Sequence, residues 1–160
     1  MLKLDHVVFP VRDAEKSLAF YRDVMGFPLI ATHTGDDWDG FPWLMMIFAL
    51  GNGQEVVCVA LEGAPLPDYR GVPVDARHYA LRAEREADID IWRSRLSQHS
   101  VDFWEERHAE QRSVYFADPD GVVLEITWPA SHGMPTERPD ALASAQRWIA
   151  KAKKALKQPA

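Results

Sequence analysis

Apolar positions along this chain alternate between a period of two and a period of three to four, and the order of the changes repeats. Leu2 to Phe9 alternates imperfectly, as a strand does, and carries His6 among Val7, Val8 and Phe9. Leu18, Tyr21 and Met25 then recur at helical spacing, between Asp13 as an N-cap and Gly26 as a stop. Strands are predicted over Phe27–Thr34, Trp43–Leu50 and Glu55–Leu61. A polar and aromatic loop is expected over Gly35–Pro42, and Gly51-Asn52-Gly53 turns the last pair. Glu62 to Asp75 holds three prolines and two glycines, which is linker chemistry.

After the linker the order starts again. Arg77–Arg82 is a predicted strand and Glu86–His99 a helix with Ile89, Trp92 and Leu96 inward. Val101–Trp104, Ser113–Phe116 and Val122–Thr127 are the remaining strands. His6 and His78 hold the same place in their strands, and the inward triplets of the two helices share their spacing. Val56-Val57-Cys58-Val59 is matched to Val122-Val123-Leu124-Glu125. The expected fold is therefore α+β, a tandem βαβββ duplication within one domain. The first module covers 1–61, the linker 62–75 and the second module 76–129. Residues 130–160 form a tail whose helix, Asp140 to about Lys157, carries Leu142, Ala145, Ile149, Ala152 and Leu156 on one stripe with Trp148 beside it.

Composition narrows the class. With 47% hydrophobic and 26% charged residues the chain is an ordinary globular one. Cys58 is the only cysteine, so no intrachain disulfide forms, and a buried apolar role in a reducing compartment is expected. No apolar run approaches the roughly 18 residues of a spanning helix, and the N-terminus lacks a signal-peptide layout. A cytoplasmic protein with no membrane partner is the expectation. The net charge of −6 is uneven: from Glu137 onward the chain is +4 and the remainder is −10. A basic helix beside an acidic body suits docking on that body or on another subunit. No nucleic-acid-binding motif accompanies it.

The chemistry gathers around SVYFADPDGVVLEITW, Ser113 to Trp128. Asp118-Pro119-Asp120-Gly121 is a tight turn between strands, and Glu125 then interrupts an apolar run. A carboxylate there either faces solvent on an edge strand or must be paired or bound to a cation. If the modules pack as a pseudo-twofold pair, His6, His78 and Glu125 converge on one cleft. Two imidazoles and one carboxylate make a facial triad suited to Fe(II), Mn(II) or a related divalent ion.

DHVVF, RHYAL and DPDGVVLEI, set in tandem modules over about Met1 to Pro129, resemble the vicinal oxygen chelate superfamily. That superfamily includes glyoxalase I, extradiol ring-cleaving dioxygenases, fosfomycin resistance enzymes and bleomycin-binding proteins. The resemblance implies an incurved mixed sheet around a metal cleft, with the ion held by His6, His78 and Glu125. Fe(II) or Mn(II) is expected first, with Zn, Ni or Co as alternatives. It also implies a small substrate offering two adjacent oxygens, and a homodimer whose cleft is completed within one chain or by exchange of modules. Glyoxalase I has an acidic ligand where Val59 is matched here. Fosfomycin transferases have a Thr where this chain has Val8, and their cationic grip has no counterpart near Glu105 and Met134. The second half is similar to extradiol dioxygenases through His108, Val114-Tyr115, Asp118-Pro119-Asp120-Gly121 and Glu125. It departs from them at Glu106 and in lacking an acid–base His near Gly63. The leading reaction is extradiol-type oxygenation of a catechol-like aromatic, with Tyr115 and His108 stabilising developing charge. A lyase or isomerase passing through a metal-bound enediolate, and a metal-free drug-binding protein, are the alternatives.

Overall fold

The computed structural model describes residues 4–51, 53–65, 76–108, 111–129 and 139–155. The first module runs β1 (His6–Val11), α1 (Ala14–Ala19), β2 (Leu29–Trp38), β3 (Phe41–Ala49) and β4 (Glu55–Leu61). The second runs β5 (His78–Arg82), α2 (Glu86–Gln98), β6 (Phe103–His108), β7 (Gln111–Ala117) and β8 (Val123–Trp128), and α3 (Pro139–Ala155) follows. Each module forms one four-stranded mixed sheet, in the orders β1-β4-β3-β2 and β5-β8-β7-β6. The first strand pairs parallel with the last, and the other pairings are antiparallel. The α+β duplication expected from the sequence is thus the fold observed, with the sheet divided into two halves.

Met1–Ala130 is one compact unit and Ser131–Ala160 a second. In the first unit both modules contribute to a single core. Phe9, Val11, Met46, Phe48, Val56 and Cys58 come from one sheet, and Val114, Phe116, Leu124 and Ile126 from the other. The helices supply Phe20, Tyr21, Met25, Ile89 and Leu96. Alternation along each strand then leaves a second face on each sheet, turned away from this core. That open face holds His6, Val8 and Pro10 on β1, and His78, Ala80 and Arg82 on β5.

Three of the ties between the modules, among the described residues, bear on how the sheets are held. Phe9 of β1 meets Tyr79 of β5 edge-on, with ring centroids 4.7 Å apart. Arg95 of α2 donates from Nη2 to the Asp23 carbonyl at 3.0 Å and from Nε to the Val24 carbonyl, near the end of the first helix. The β7–β8 turn is the third. Its Asp120 accepts the Arg12 backbone N–H at 3.0 Å and the Ser17 hydroxyl at 3.3 Å, while Asp118 accepts the Tyr21 hydroxyl at 2.8 Å. Asp118 also accepts the backbone N–H groups of Asp120 and Val122, which fixes the turn from inside. Gly121 sits there at φ 81°, where a side chain would be strained.

Several expected boundaries move. The loop expected over Gly35–Pro42 shrinks to a turn at Asp39-Gly40, because β2 continues to Trp38 and β3 begins at Phe41. Gly35 permits this: the Trp43 indole lies so close across the pair that a Cβ on Gly35 would come within 2.5 Å of its Nε1. β6 starts at Phe103 and runs on to His108. α1 passes into a π-helical turn, Phe20–Val24, before Gly26 ends the helix at φ 73°. Residues 66–75 of the expected linker, the first three residues of the chain and the end of the last expected helix lie outside the described residues. Among the described residues no helix is long and apolar enough to cross a membrane.

Candidate metal centre

Glu125 lies on β8, an interior strand between β5 and β7, so it is not at a sheet edge. Leu124 and Ile126 point into the core, which turns Glu125 to the open face, where it is only 5% exposed. A carboxylate buried to that degree needs partners, and two neighbouring strands supply them. His78 Nε2 of β5 stands 3.1 Å from Glu125 Oε2. Tyr115, directly opposite Glu125 on β7, places its phenol beside the carboxylate. Burial, and then the adjacent Glu125, push the Tyr115 phenol up to about 12, so the hydroxyl keeps its proton.

The tyrosine is held on two sides. Trp104, its cross-strand partner on β6, stacks on it at 5.4 Å and 15° between ring planes. The His78 ring meets it edge-on at 5.6 Å and 88°. One row along, Thr127 accepts from Gln111 Nε2 at 2.7 Å, and Ser113 and Thr127 share a hydroxyl–hydroxyl bond of 2.8 Å. Trp104 Nε1 donates to Glu106 at 3.2 Å. The open face of the second sheet therefore carries several polar pairs, with Glu125 near its middle.

The open face of the first sheet has a different chemistry. It carries Val57 and Val59 on β4, both buried, and Met45, Ile47 and Trp43 on β3. His6 is at the start of β1, with its side chain about half exposed, and its Nδ1 lies 2.9 Å from Asp5. Within one chain His6 does not join His78 and Glu125, because each histidine is on the open face of its own sheet. Among the described residues no three metal-ligating side chains cluster. His108 pairs with Gln111 at the end of β6, four residues and about 13 Å along the strand from the residue opposite Tyr115.

Strand register corrects the match of Val59 to Glu125. His78 pairs with Val123, and Glu125 lies two residues further along β8. His6 pairs with Glu55, so the residue two further along β4 is Val57. The turns agree. Leu50 N–H donates to the Gln54 carbonyl and Gly53 N–H to the Leu50 carbonyl. Asp118, Gly121 and Val122 repeat that pattern, so residue 54 answers 122 and residue 57 answers 125. An apolar run carries no mark of register, and a shift of two leaves every side chain on its own face. Trp104 was also missed, and only the register of the β6–β7 hairpin reveals it as the stacking partner of Tyr115.

The donors present fit a divalent ion. Ligands about 2.0–2.2 Å from an ion and at right angles to each other stand ~3 Å apart, and His78 Nε2 and Glu125 Oε2 are separated by 3.1 Å. One nitrogen and one carboxylate oxygen therefore already stand as two adjacent ligands would, and a further nitrogen is needed to complete a facial set.

Two sheets of this topology, each with its first strand parallel to its last, define the glyoxalase-like fold. Residues 3–126 match the Glyoxalase/Bleomycin resistance protein/Dioxygenase superfamily, and the chain belongs to it. It is 30% identical over 125 residues to the glutathione transferase FosA of Serratia marcescens, covering 77% of this chain and 78% of that one. It is 27% identical over 130 residues to Glyoxylase I 4 of Arabidopsis thaliana, covering 79% and 70%. Among solved structures, a point mutant of the fosfomycin resistance protein FosX from Listeria monocytogenes, in complex with Mn(II) and 1S,2S-dihydroxypropylphosphonic acid, superposes with a TM-score of 0.61. That match is 20% identical and covers 82% of this chain and 95% of the other.

Proposed function

We propose that this chain is a metal-dependent enzyme whose centre forms between two copies, with His6 of one chain joining His78 and Glu125 of the other. The observation that carries the reading is the pairing of His78 with the buried Glu125 at 3.1 Å, on a sheet face where, among the described residues, no third ligand clusters with them. A divalent ion held there supplies Lewis acidity and open positions for a substrate with two adjacent oxygens. Tyr115 donates a hydrogen bond where charge develops on the substrate, and Trp104 and Glu125 hold it in place. His108 is assigned as a further donor from the end of β6.

The proposed reaction is extradiol-type cleavage of a catechol-like aromatic, with O₂ as oxidant and both its atoms entering the product. The apolar face of Met45, Ile47, Val57 and Val59 suits a flat uncharged ring, because it offers no cation to an anionic group. A second reading keeps the same centre and dispenses with O₂: transfer, lyase or isomerase chemistry on a chelated substrate. The names of the 30% identical transferase and of the Arabidopsis relative favour it. The carboxylate that a two-acid proton shuttle requires is replaced by Val57, which restricts this reading to reactions that need a single base. Metal analysis after anaerobic purification comes first. Close to one divalent ion per chain supports the centre, and a metal-free protein that binds aromatic drugs replaces it. Oxygen uptake by Fe(II)-loaded protein across a catechol panel then separates the two readings. Uptake with a yellow ring-cleaved product is expected, and none at verified occupancy moves the assignment to the O₂-independent chemistry.

A further inference from the structure

Protein interiors hold few voids larger than a water molecule, and the seam between the two modules has one. β1 and β5 are outer strands of their sheets, and they approach at Phe9 and Tyr79 without a ladder joining them. Beside that contact lies a cavity of about 240 Å³. Phe9, Tyr21, Val56 and Leu124, all buried, form its floor. Its mouth is at Leu4, which is 61% exposed and whose carbonyl accepts a hydrogen bond from Gln54 Nε2 at 2.8 Å. Apolar walls with no atoms opposite them forfeit contacts that a fitting guest restores.

The lining sets the chemistry of that guest. A dry apolar cavity of roughly 150 Å³ takes benzene, so one of about 240 Å³ admits about ten carbon atoms. Four of the lining residues are aromatic, Phe9, Tyr21, Phe27 and Tyr79, and rings pack well against a further ring. A rigid ring system also loses less freedom on binding than a chain of equal size. Among the described residues the lining has no lysine or arginine, and Glu55 is its one residue of fixed charge. An anion therefore finds no partner there. One polar contact is available to a neutral guest. Ala83 donates its N–H to Thr127 across the β5–β8 ladder, so Leu81 and Tyr79 face that ladder as well. The N–H and C=O of Ala80, which lines the cavity, are then directed toward the seam.

We propose that the seam cavity is a binding site for a neutral bicyclic aromatic molecule carrying one hydroxyl or similar polar group. The site is on the inner side of the two sheets, whereas the proposed metal centre is on their open faces. His78, at the exposed rim, is the residue they share. The inference does not depend on a metal being bound.

The full-length wild-type protein and 2-naphthol provide the test. Calorimetric titration should saturate at one molecule per chain. 2-Naphthoate, which has the same rings and a negative charge, should bind roughly tenfold more weakly or worse. Intermolecular NOEs from the naphthol protons should reach the methyl groups of Val7, Val56 and Leu124. Val7→Trp, which puts an indole into the cavity from a half-buried position, should remove both the binding and the NOEs while the melting temperature holds. The wild-type NOEs decide the matter even where that variant folds poorly. Absence of saturable binding would overturn the proposal. So would NOEs to Ile47, Val57 and Val59, which would put the ligand on the open face of the first sheet. Naphthoate binding as tightly as naphthol would overturn the assignment of a neutral ligand.

Discussion

The two modules share an element order, a strand pairing and even the hydrogen bonds of their last turn, yet their open faces have opposite chemistry. On the second sheet Glu125, Tyr115, His78, Ser113, Thr127 and Gln111 gather polar groups on one face. On the first, the positions around Val57 and Val59 are apolar, and His6 stands near the edge of that surface. Register makes the contrast sharpest at one pair: Glu125 in the second module answers Val57 in the first. A duplicated unit has kept its fold because the core faces are alike. Its open faces, which no core constrains, have diverged into one that gathers ligands and one where His6 and the exposed His33 flank a hydrophobic wall.

The contrast breaks most severely if the ligand pair is removed. Glu125→Ala and His78→Ala should each lower divalent-metal affinity by more than the roughly 10–100-fold that loss of a group supporting a ligand costs. His6→Ala should do the same although His6 lies on the other sheet, and isothermal titration of apo-protein measures all three. Tyr115→Phe keeps the ring stacked on Trp104 but deletes the hydroxyl beside Glu125. On the order of 10²-fold slower turnover, with metal retained, is expected from loss of one such donor. Metal analysis beside steady-state rates separates it from the ligand variants.

Making the first face resemble the second is a subtler test. Val57→Glu buries a carboxylate among apolar side chains and, without metal, should cost more than the about 1–3 kcal/mol of an unpaired neutral polar group. Added divalent ion should restore the melting temperature if residue 57 faces the centre. Val59→Glu should carry the same penalty with less recovery, one row further along the strand. The smallest effect concerns a carboxylate in the shared turn, Asp118, where the first module has Leu50. Burial raises the Asp118 carboxyl above its ordinary 3.8, against the hydrogen bonds from Val122, Tyr21 and Asp120 that lower it. The folded chain therefore binds the proton more tightly than the unfolded chain. That contribution to stability is present below pH 3.8 and is lost as pH rises through the raised value. Asp118→Asn should flatten this part of the stability–pH curve in urea titrations.

Much of this was legible in the chain. The periods of two and of three to four marked the strands and helices, and the buried triplets Leu18/Tyr21/Met25 and Ile89/Trp92/Leu96 face inward as their spacing implied. Glu125 stood out because a carboxylate in an apolar run demands a partner. What stayed hidden depends on contacts distant in sequence. Nothing local says that Gly35 must yield space to Trp43, so β2 looked shorter than it is. The register of β4 was invisible within an unmarked run of valines. The separation of His6 from the other two residues follows from two sheets sharing a core through their inner faces, a tertiary fact that spacing alone does not encode.

The proposed sharing of the centre between chains is tested most directly by complementation. His6→Ala and Glu125→Ala proteins are prepared separately, mixed, dissociated and reassociated, and tight metal sites are then counted. In a statistical mixture half of the dimers are mixed. Each of these places both lesions in one centre and leaves the other intact, so about one quarter of wild-type sites should return. If each chain builds its centre alone, every centre keeps a lesion and the mixture binds no more metal than its parents.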